Sequence, residues 1–175
     1  MNYLFLDSGF EEIEAITTID LLRRADIPVT TVSVTGIIMV QGAHNIAVEA
    51  DGLMDNMDFS DAETLILPGG QTHLESHAAL CDLLKKHDAE GKLIAAICAA
   101  PAVLGKLGIL KGKHATCYPG FEQFLGESHL GGMVVESKNI ITAKGPGLSS
   151  DFAFSLIEHI AGQETADRVY DQAQY

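Results

Sequence analysis

The chain has 175 residues, of which 47% are hydrophobic, and it carries a net charge of -13. This length suits one domain, spanning residues 1–175, with a sizeable core. The negative charge repels phosphate backbones and the 11 lysine and arginine residues are scattered, so we expect no nucleic-acid partner. No apolar run is long enough to cross a bilayer and no export leader is evident, which predicts a cytoplasmic protein without membrane association.

Short apolar segments alternate with helix-length amphipathic segments along the chain. The predicted strands are 3–6, 29–34, 64–67, 93–97 and 140–143, with shorter ones at 114–117 and 133–135. The predicted helices are 11–24, 78–90, 99–107, 150–161 and a polar tail from 164. A β-hairpin is predicted within 37–48, with its tip at 41–44. Apolar strands separated by helices predict an α/β fold with a mostly parallel sheet and helices on both faces.

Four polar or glycine-rich segments directly follow predicted strands. They are 7–14, 68–70, the turn at residue 98, and 144–147. In an open parallel sheet, ligands bind beyond the carboxyl ends of the strands. We therefore expect these four segments to meet at one edge of the sheet.

The three cysteines are Cys81, Cys98 and Cys117. Their odd number and their spacing fit neither a disulfide framework nor a cysteine-based zinc site, so we expect free thiols in a reducing compartment. His73 and His77 lie four residues apart, but no third ligand is evident and the pattern is not that of zinc peptidases. We expect surface histidines and no metal site.

Cys98 interrupts an apolar strand that resumes as a helix within the range 92–105. This pattern places Cys98 on a sharp strand-to-helix turn, the geometry of the nucleophile elbow. There the thiol lies over free N–H groups at the start of the helix, whose positive dipole end favours a thiolate. We therefore expect the pKa of Cys98 to be lowered.

A thiolate nucleophile also needs N–H donors for an oxyanion and a group that transfers protons. The backbone N–H groups of Ala99 and Gly70 are the candidate donors. The acid or base is Glu11, Glu12 or Glu14, which at about 100° per helical residue cannot all face one cleft. Glu14 suits a partly buried position, whereas the other two suit a solvated helix start. The residues alone leave this choice open.

Five motifs follow one another along nearly the whole chain: GFEEIE at 9–14, LILPGG at 65–70, AAICAAP at 95–101, TCYP at 116–119 and TAKGPG at 142–147. In order and spacing they resemble the ThiJ/PfpI superfamily, and within it the branch of the Parkinson-disease-associated protein deglycase and its bacterial relatives. The resemblance implies a flavodoxin-like α/β sandwich, usually a homodimer.

The resemblance also implies roles for individual residues. Cys98 matches the reactive cysteine, and Glu14 matches a buried, protonated glutamic acid that donates a hydrogen bond to the thiolate. Gly70 and Ala99 match the backbone donors. His44 falls where relatives often carry an arginine that reaches the neighbouring subunit's site.

Tyr118 stands where some relatives place a histidine beside the active site, so we expect it to contact substrate. Burial and a nearby thiolate should raise the pKa of Glu14, while the shared proton lowers that of Cys98. The two groups are then expected to titrate as a coupled pair.

The leading functional hypothesis is a cofactor-independent enzyme that acts on reactive dicarbonyls or their protein adducts, of glyoxalase or deglycase type. Its partners would be a small dicarbonyl or a glycated adduct. The alternative is an oxidative-stress sensor or redox-regulated chaperone that works through a Cys98 sulfinate. A weaker alternative is a cysteine peptidase or amidase, which lacks an imidazole base next to the cysteine because Ala99 occupies that place.

Overall fold

A seven-stranded sheet lies at the centre of the computed structural model, which describes residues 1–71 and 73–175. The strands in these residues are β1 (Asn2–Leu6), β2 (Val29–Ser33), β3 (Met39–Gln41), β4 (Ala47–Glu49), β5 (Gly52–Leu53), β6 (Thr64–Leu67), β7 (Leu93–Ile97), β8 (Val134–Ser137) and β9 (Ile140–Ala143). The α-helices are α1 (Glu12–Arg24), α2 (Ala78–Ala89), α3 (Pro101–Lys106), α4 (Glu122–Leu125), α5 (Ser149–Ala161) and α6 (Gln163–Ala173).

The strand order in the central sheet is β5-β2-β1-β6-β7-β9-β8. Every neighbouring pair is parallel except β8 and β9, which are antiparallel. The strands β3 and β4 form a separate antiparallel hairpin. This arrangement confirms the predicted flavodoxin-like α/β fold, and it brings the carboxyl ends of β1, β6, β7 and β9 to one edge of the sheet.

Both faces of the sheet are buried because side chains alternate between them along each strand. In β1, Leu4 and Leu6 join the core under α1, α5 and α6, whereas Tyr3 and Phe5 join the core under α2, α3 and α4. Complete burial of an aliphatic or aromatic side chain contributes roughly 1.5–3 kcal/mol to folding. Two cores of this kind hold the strand ends, and the loops that follow them, in a fixed relation.

Most predicted elements are confirmed within a residue or two, including the hairpin, whose tip begins at Gly42. The strand predicted at 114–117 is wrong. Ala115 forms only an isolated bridge with His129, and the Thr116 N–H donates to the side-chain oxygen of Thr142 at 2.9 Å rather than to a neighbouring strand. Two short elements, β5 and α4, lie where no element was predicted.

The helix predicted from residue 99 begins at Pro101. Proline suits the first turn of a helix, where its missing N–H has no intrahelical partner to lose. Cys98 therefore lies in a turn before the helix and not at its first residue. In the part of the chain that the structure describes, none of the helices has the length and apolar character needed to span a membrane.

Candidate active site

Cys98 lies on a strained turn between β7 and α3. Its φ angle is 66°, in the left-handed region that costs an L-residue roughly 1–2 kcal/mol. Two backbone hydrogen bonds hold the turn: the Cys98 N–H donates to the Ala143 carbonyl at 2.9 Å, and the Cys98 carbonyl accepts from the Tyr118 N–H at 2.8 Å. The predicted elbow is confirmed. Cys98 is largely buried, with 8% of its surface exposed.

The loop after β6 (residues 68–71, the β6 loop) packs its backbone directly against this turn and against the loop between β1 and α1 (residues 7–11, the first loop). A Cβ atom added to Gly69 would lie 2.7 Å from the Cβ of Cys98, and one added to Gly70 would collide with the Gly9 carbonyl. Gly70 also has a φ of 108°, which L side chains rarely adopt. The glycine pair therefore allows the first loop, the β6 loop and the cysteine turn to approach one another closely.

Glu14 reaches the same place from the first turn of α1. Its surface is 0% exposed. Carboxylate atom Oε2 accepts a hydrogen bond from the Gly69 N–H at 2.7 Å. Atom Oε1 is buried and has no hydrogen-bond partner by distance and angle among the described residues. The proton that satisfies this oxygen is either donated by the Cys98 thiol or carried by Glu14 itself.

The two acids interact strongly. Burial raises the pKa of Glu14 to about 7, although the Gly69 N–H and the side chain of Cys98 act in the opposite direction. Burial, the charge of Glu14 and the hydrogen bond to it raise the pKa of Cys98 to about 12. The expected rise in the pKa of Glu14 is confirmed. The expectation of a lowered pKa for Cys98 is wrong for a thiol beside an ionised Glu14, because burial and the like charge both oppose a second negative charge.

Coupled groups of this kind lose their protons as a pair. Both pKa values are raised, that of Cys98 further than that of Glu14, so the pair loses its first proton well before its second and holds one negative charge in between. The N–H groups of Gly70 and Ala99 both lower the pKa of Cys98, and therefore stabilise charge on the sulfur. The structure thus brings Cys98, Glu14, Gly70 and Ala99 together. Their catalytic roles stay predictions.

Tyr118 borders the site through its backbone bond to Cys98 and has a half-exposed side chain. Its ring lies against Gly145, where an added Cβ would come within 3.0 Å of the ring. A hollow of about 380 Å³ opens here, lined by Tyr118, Pro119 and residues 144–148. A larger hollow of about 490 Å³, between β8, α5 and α6, is lined by none of the four residues grouped around the cysteine.

His44 lies at the tip of the β3–β4 hairpin and contacts the start of α1. Its Nδ1 atom is 2.9 Å from Glu12 Oε2 and 3.5 Å from Glu11 Oε1. The hydrogen bond with Glu12, together with the charges of Glu11 and Glu12, raises the pKa of His44. The predicted contact of His44 with a substrate or with a second subunit stays a prediction.

Glu12 is buried, which corrects the expectation that it belongs to a solvated helix start. Its Oε1 atom accepts hydrogen bonds from the backbone N–H groups of His44 at 2.7 Å and Ile46 at 3.3 Å. Burial disfavours its charge, but these bonds and the His44 side chain lower the pKa of Glu12 overall. The hairpin tip needs an acceptor for its N–H groups, and this carboxylate supplies it.

Among the described residues, one group has the composition and spacing to hold a metal ion. Ligand atoms of Glu11, Glu12 and His44 lie within 4.8 Å of one another. Both carboxylates already contact the imidazole of His44: Glu12 through a hydrogen bond and Glu11 through an ion pair. The prediction of a site without metal or cofactor stays a prediction.

Asp7 is a buried residue at this edge of the sheet, and no role was predicted for it from the sequence. It follows β1 directly and accepts N–H groups from Ser8 at 2.9 Å and His73 at 2.8 Å. Its Oδ1 atom is also 3.3 Å from Nε2 of His77. The signal available in the sequence is a carboxylate placed immediately after an apolar strand, at the edge where ligands bind.

Comparison with known proteins finds a matching family and similar relatives. The model of the DJ-1/PfpI family matches residues 3–159. The chain is 39% identical to Protein DJ-1 homolog A of Arabidopsis thaliana over 92% of its own length, and it spans 43% of that plant protein. It is 32% identical to Glutathione-independent glyoxalase DJR-1.2 of Caenorhabditis elegans, covering 88% of this chain and 84% of the relative.

The fold is similar to solved structures over almost its whole length. A structure of oxidized DJ-1 from Toxoplasma gondii superposes with a TM-score of 0.95 at 37% identity, covering 99% of this chain and 97% of the other. The family model matches most of the chain, and the solved structure has the same α/β architecture. This protein therefore belongs to the DJ-1/PfpI family.

Proposed function

We propose that the protein is a cofactor-independent enzyme of glyoxalase or deglycase type, with Cys98 as nucleophile and Glu14 as proton carrier. The observation that carries the proposal is the buried Glu14, whose pKa is raised to about 7 beside a cysteine on a strained turn. A group poised near neutrality can both give and take a proton during turnover. The relative named as a glutathione-independent glyoxalase supports the same chemistry.

The reactive form is the one in which the pair's single proton lies on Glu14 and the charge lies on sulfur. Two features favour it. The sulfur is stabilised by the N–H groups of Gly70 and Ala99. The Oε1 atom of Glu14 is buried and has no backbone N–H donor to stabilise a negative charge, whereas the sulfur has two, and this difference favours the proton on Glu14.

In the proposed reaction, the Cys98 thiolate adds to the aldehyde carbon of methylglyoxal, and the new oxyanion takes the proton of Glu14. The resulting carboxylate removes the hydrogen from that carbon and returns it to the neighbouring ketone carbon through an enediol. This internal transfer oxidises the aldehyde carbon to a thioester and reduces the ketone to an alcohol. Water then cleaves the thioester, which releases lactate and restores the thiol.

Oxyanion stabilisation in this scheme comes from the N–H groups of Gly70 and Ala99, both of which lower the pKa of Cys98. A hollow of about 400 Å³ that is lined by both Gly70 and Ala99 offers room for a small dicarbonyl or for the end of a glycated side chain. We further propose a homodimer in which His44 reaches the partner's site. A cytoplasmic location stays a prediction, consistent with three free cysteines.

The test is the production of lactate from methylglyoxal without glutathione, with Cys98→Ala and Glu14→Gln as inactive variants. Cys117→Ser is the matched control because Cys117 is also a buried free thiol, and it should retain activity. Deglycation is tested in the same preparations with a methylglyoxal-modified lysine peptide. Lactate formation that is equal in wild type and Cys98→Ala would overturn the proposal.

A second candidate is a redox sensor that works through the same sulfur. The N–H groups that stabilise a thiolate would equally hold the oxygens of a sulfinate, and a solved relative is described as oxidized. Mild peroxide should then add two oxygens to Cys98 while Cys81 and Cys117 stay unmodified, as seen by peptide mass. Oxidation of the other two first would refute this role. The peptidase alternative has the least support, because Ala99 follows the cysteine.

A further inference from the structure

The buried carboxylate of Asp7 joins three segments of the chain. Its own segment ends β1. Its Oδ1 atom accepts the Ser8 N–H at the start of the first loop, and its Oδ2 atom accepts the His73 N–H beyond the β6 loop. Its Oδ1 atom also pairs with Nε2 of His77, the residue that precedes α2. One side chain therefore connects the ends of β1 and of the β6 loop with the start of α2.

The first loop and the β6 loop also bond to each other directly at the active site. The Glu11 N–H donates to the Gly69 carbonyl at 2.9 Å, and the Gln71 N–H donates to the Gly9 carbonyl at 2.8 Å. Gly70 lies between these two bonds. Its N–H stabilises charge on Cys98, so the position of this short bridge sets the strength of one donor at the sulfur.

We propose that Asp7 is a positioning residue that fixes the β6 loop so that the Gly70 N–H addresses the Cys98 sulfur. Asp7 holds the chain just beyond this loop, at the His73 N–H, while the Glu11 and Gln71 bonds hold the loop itself. Asp7 acts through Gly70 and not on the reacting atoms. The inference deepens the proposed function, since it assigns a residue that prepares the same nucleophile.

The experiment measures alkylation of Cys98 by iodoacetamide at about pH 7, followed at peptide level, for wild type and Asp7→Ala. If the loop shifts and the Gly70 donor is lost, the thiolate is less populated and alkylation slows by about tenfold, as expected for a hydrogen bond to a charged group. Asp20→Ala is the matched control, because Asp20 is an exposed carboxylate on α1 that pairs with Arg24. Its alkylation rate should equal that of wild type.

Thermal unfolding establishes that the Asp7→Ala variant is folded at the assay temperature. A folded Asp7→Ala protein with the wild-type alkylation rate overturns the inference, because lost stability alone leaves the rate unchanged. If Asp7→Ala does not fold, Asp7→Asn takes its place. It keeps one acceptor oxygen and should slow alkylation by a smaller factor, and an unchanged rate in that folded variant again overturns the inference.

Turnover separates this inference from the proposed function. If both hold, Asp7→Ala lowers kcat for methylglyoxal while KM stays near the wild-type value, because the donor acts on charge that develops in the reaction. Slower alkylation in a protein that forms no lactate supports the role of Asp7 and refutes the enzyme. Lactate formation with unchanged alkylation and kcat in Asp7→Ala supports the enzyme and refutes the role of Asp7.

Discussion

The titration of Glu14 should govern how the stability of the protein changes between weakly acid and neutral pH. The pKa of Glu14 rises from 4.5 to about 7 because the carboxyl is buried. A raised pKa in the folded state means that folding favours the protonated form. The corresponding stability is therefore fully present below the ordinary pKa of 4.5 and is lost as the pH rises through the folded value of about 7.

The size of the effect follows from the shift. Each unit of pKa difference between folded and unfolded states corresponds to about 1.4 kcal/mol, so the free energy of unfolding should fall by about 3 kcal/mol across this range. Glutamine has nearly the same shape as protonated glutamic acid and does not titrate. The difference in unfolding free energy between Glu14→Gln and wild type should thus grow by about 3 kcal/mol in favour of the variant.

Urea unfolding of both proteins at a series of pH values from about 4.5 to about 8 measures this difference. All other titrating groups are the same in the two proteins, so their contributions to the free energy of unfolding cancel. Repeating the series in a Cys98→Ser background tests the cause. Burial is the largest cause of the shift, so most of the pH dependence should persist without the thiol. A difference that is independent of pH in both backgrounds would refute a titrating, buried Glu14.

The fold could be predicted because its central strands are apolar over most of their length. Leu93–Ile97 is apolar on both sides, and only a central strand of a covered parallel sheet buries both faces. The carboxyl ends of parallel strands lie at one edge of a sheet, which predicted that Cys98 and the Gly69–Gly70 pair would meet there. The short segment around Ala115 shows the limit, since its backbone groups bond to loop atoms that local sequence does not reveal.

The grouping of Cys98, Glu14, Gly70 and Ala99 could be predicted from the sequence, and the pKa of Cys98 could not. Cys98 and Glu14 stood out through the elbow pattern and the ordered motifs. Whether a carboxylate is buried depends on what packs over it, and Glu12 is covered by a hairpin more than 30 residues later in the chain. The pKa of Cys98 is raised by its own burial and by the charge of Glu14, whereas the helix start and the shared proton predicted a lowered value, because the sequence does not show how deeply the thiol is buried.

Three further predictions follow from single contacts. Cys98→Gly should be more stable than Cys98→Ala by about 1 kcal/mol in thermal unfolding, because glycine accepts the positive φ of the elbow; equal stabilities would contradict the strain. Gly70→Ala should lower the free energy of unfolding by several kcal/mol and slow the alkylation of Cys98, because the new Cβ collides with the Gly9 carbonyl. A wild-type stability together with a wild-type alkylation rate would show that the loop moves to make room for the methyl group. Glu12→Gln should bring the raised pKa of His44 back toward 6.5 in an NMR titration, because the Glu12 hydrogen bond is the largest cause of the shift. An unmoved titration would mean that the His44 ring does not pair with this carboxylate.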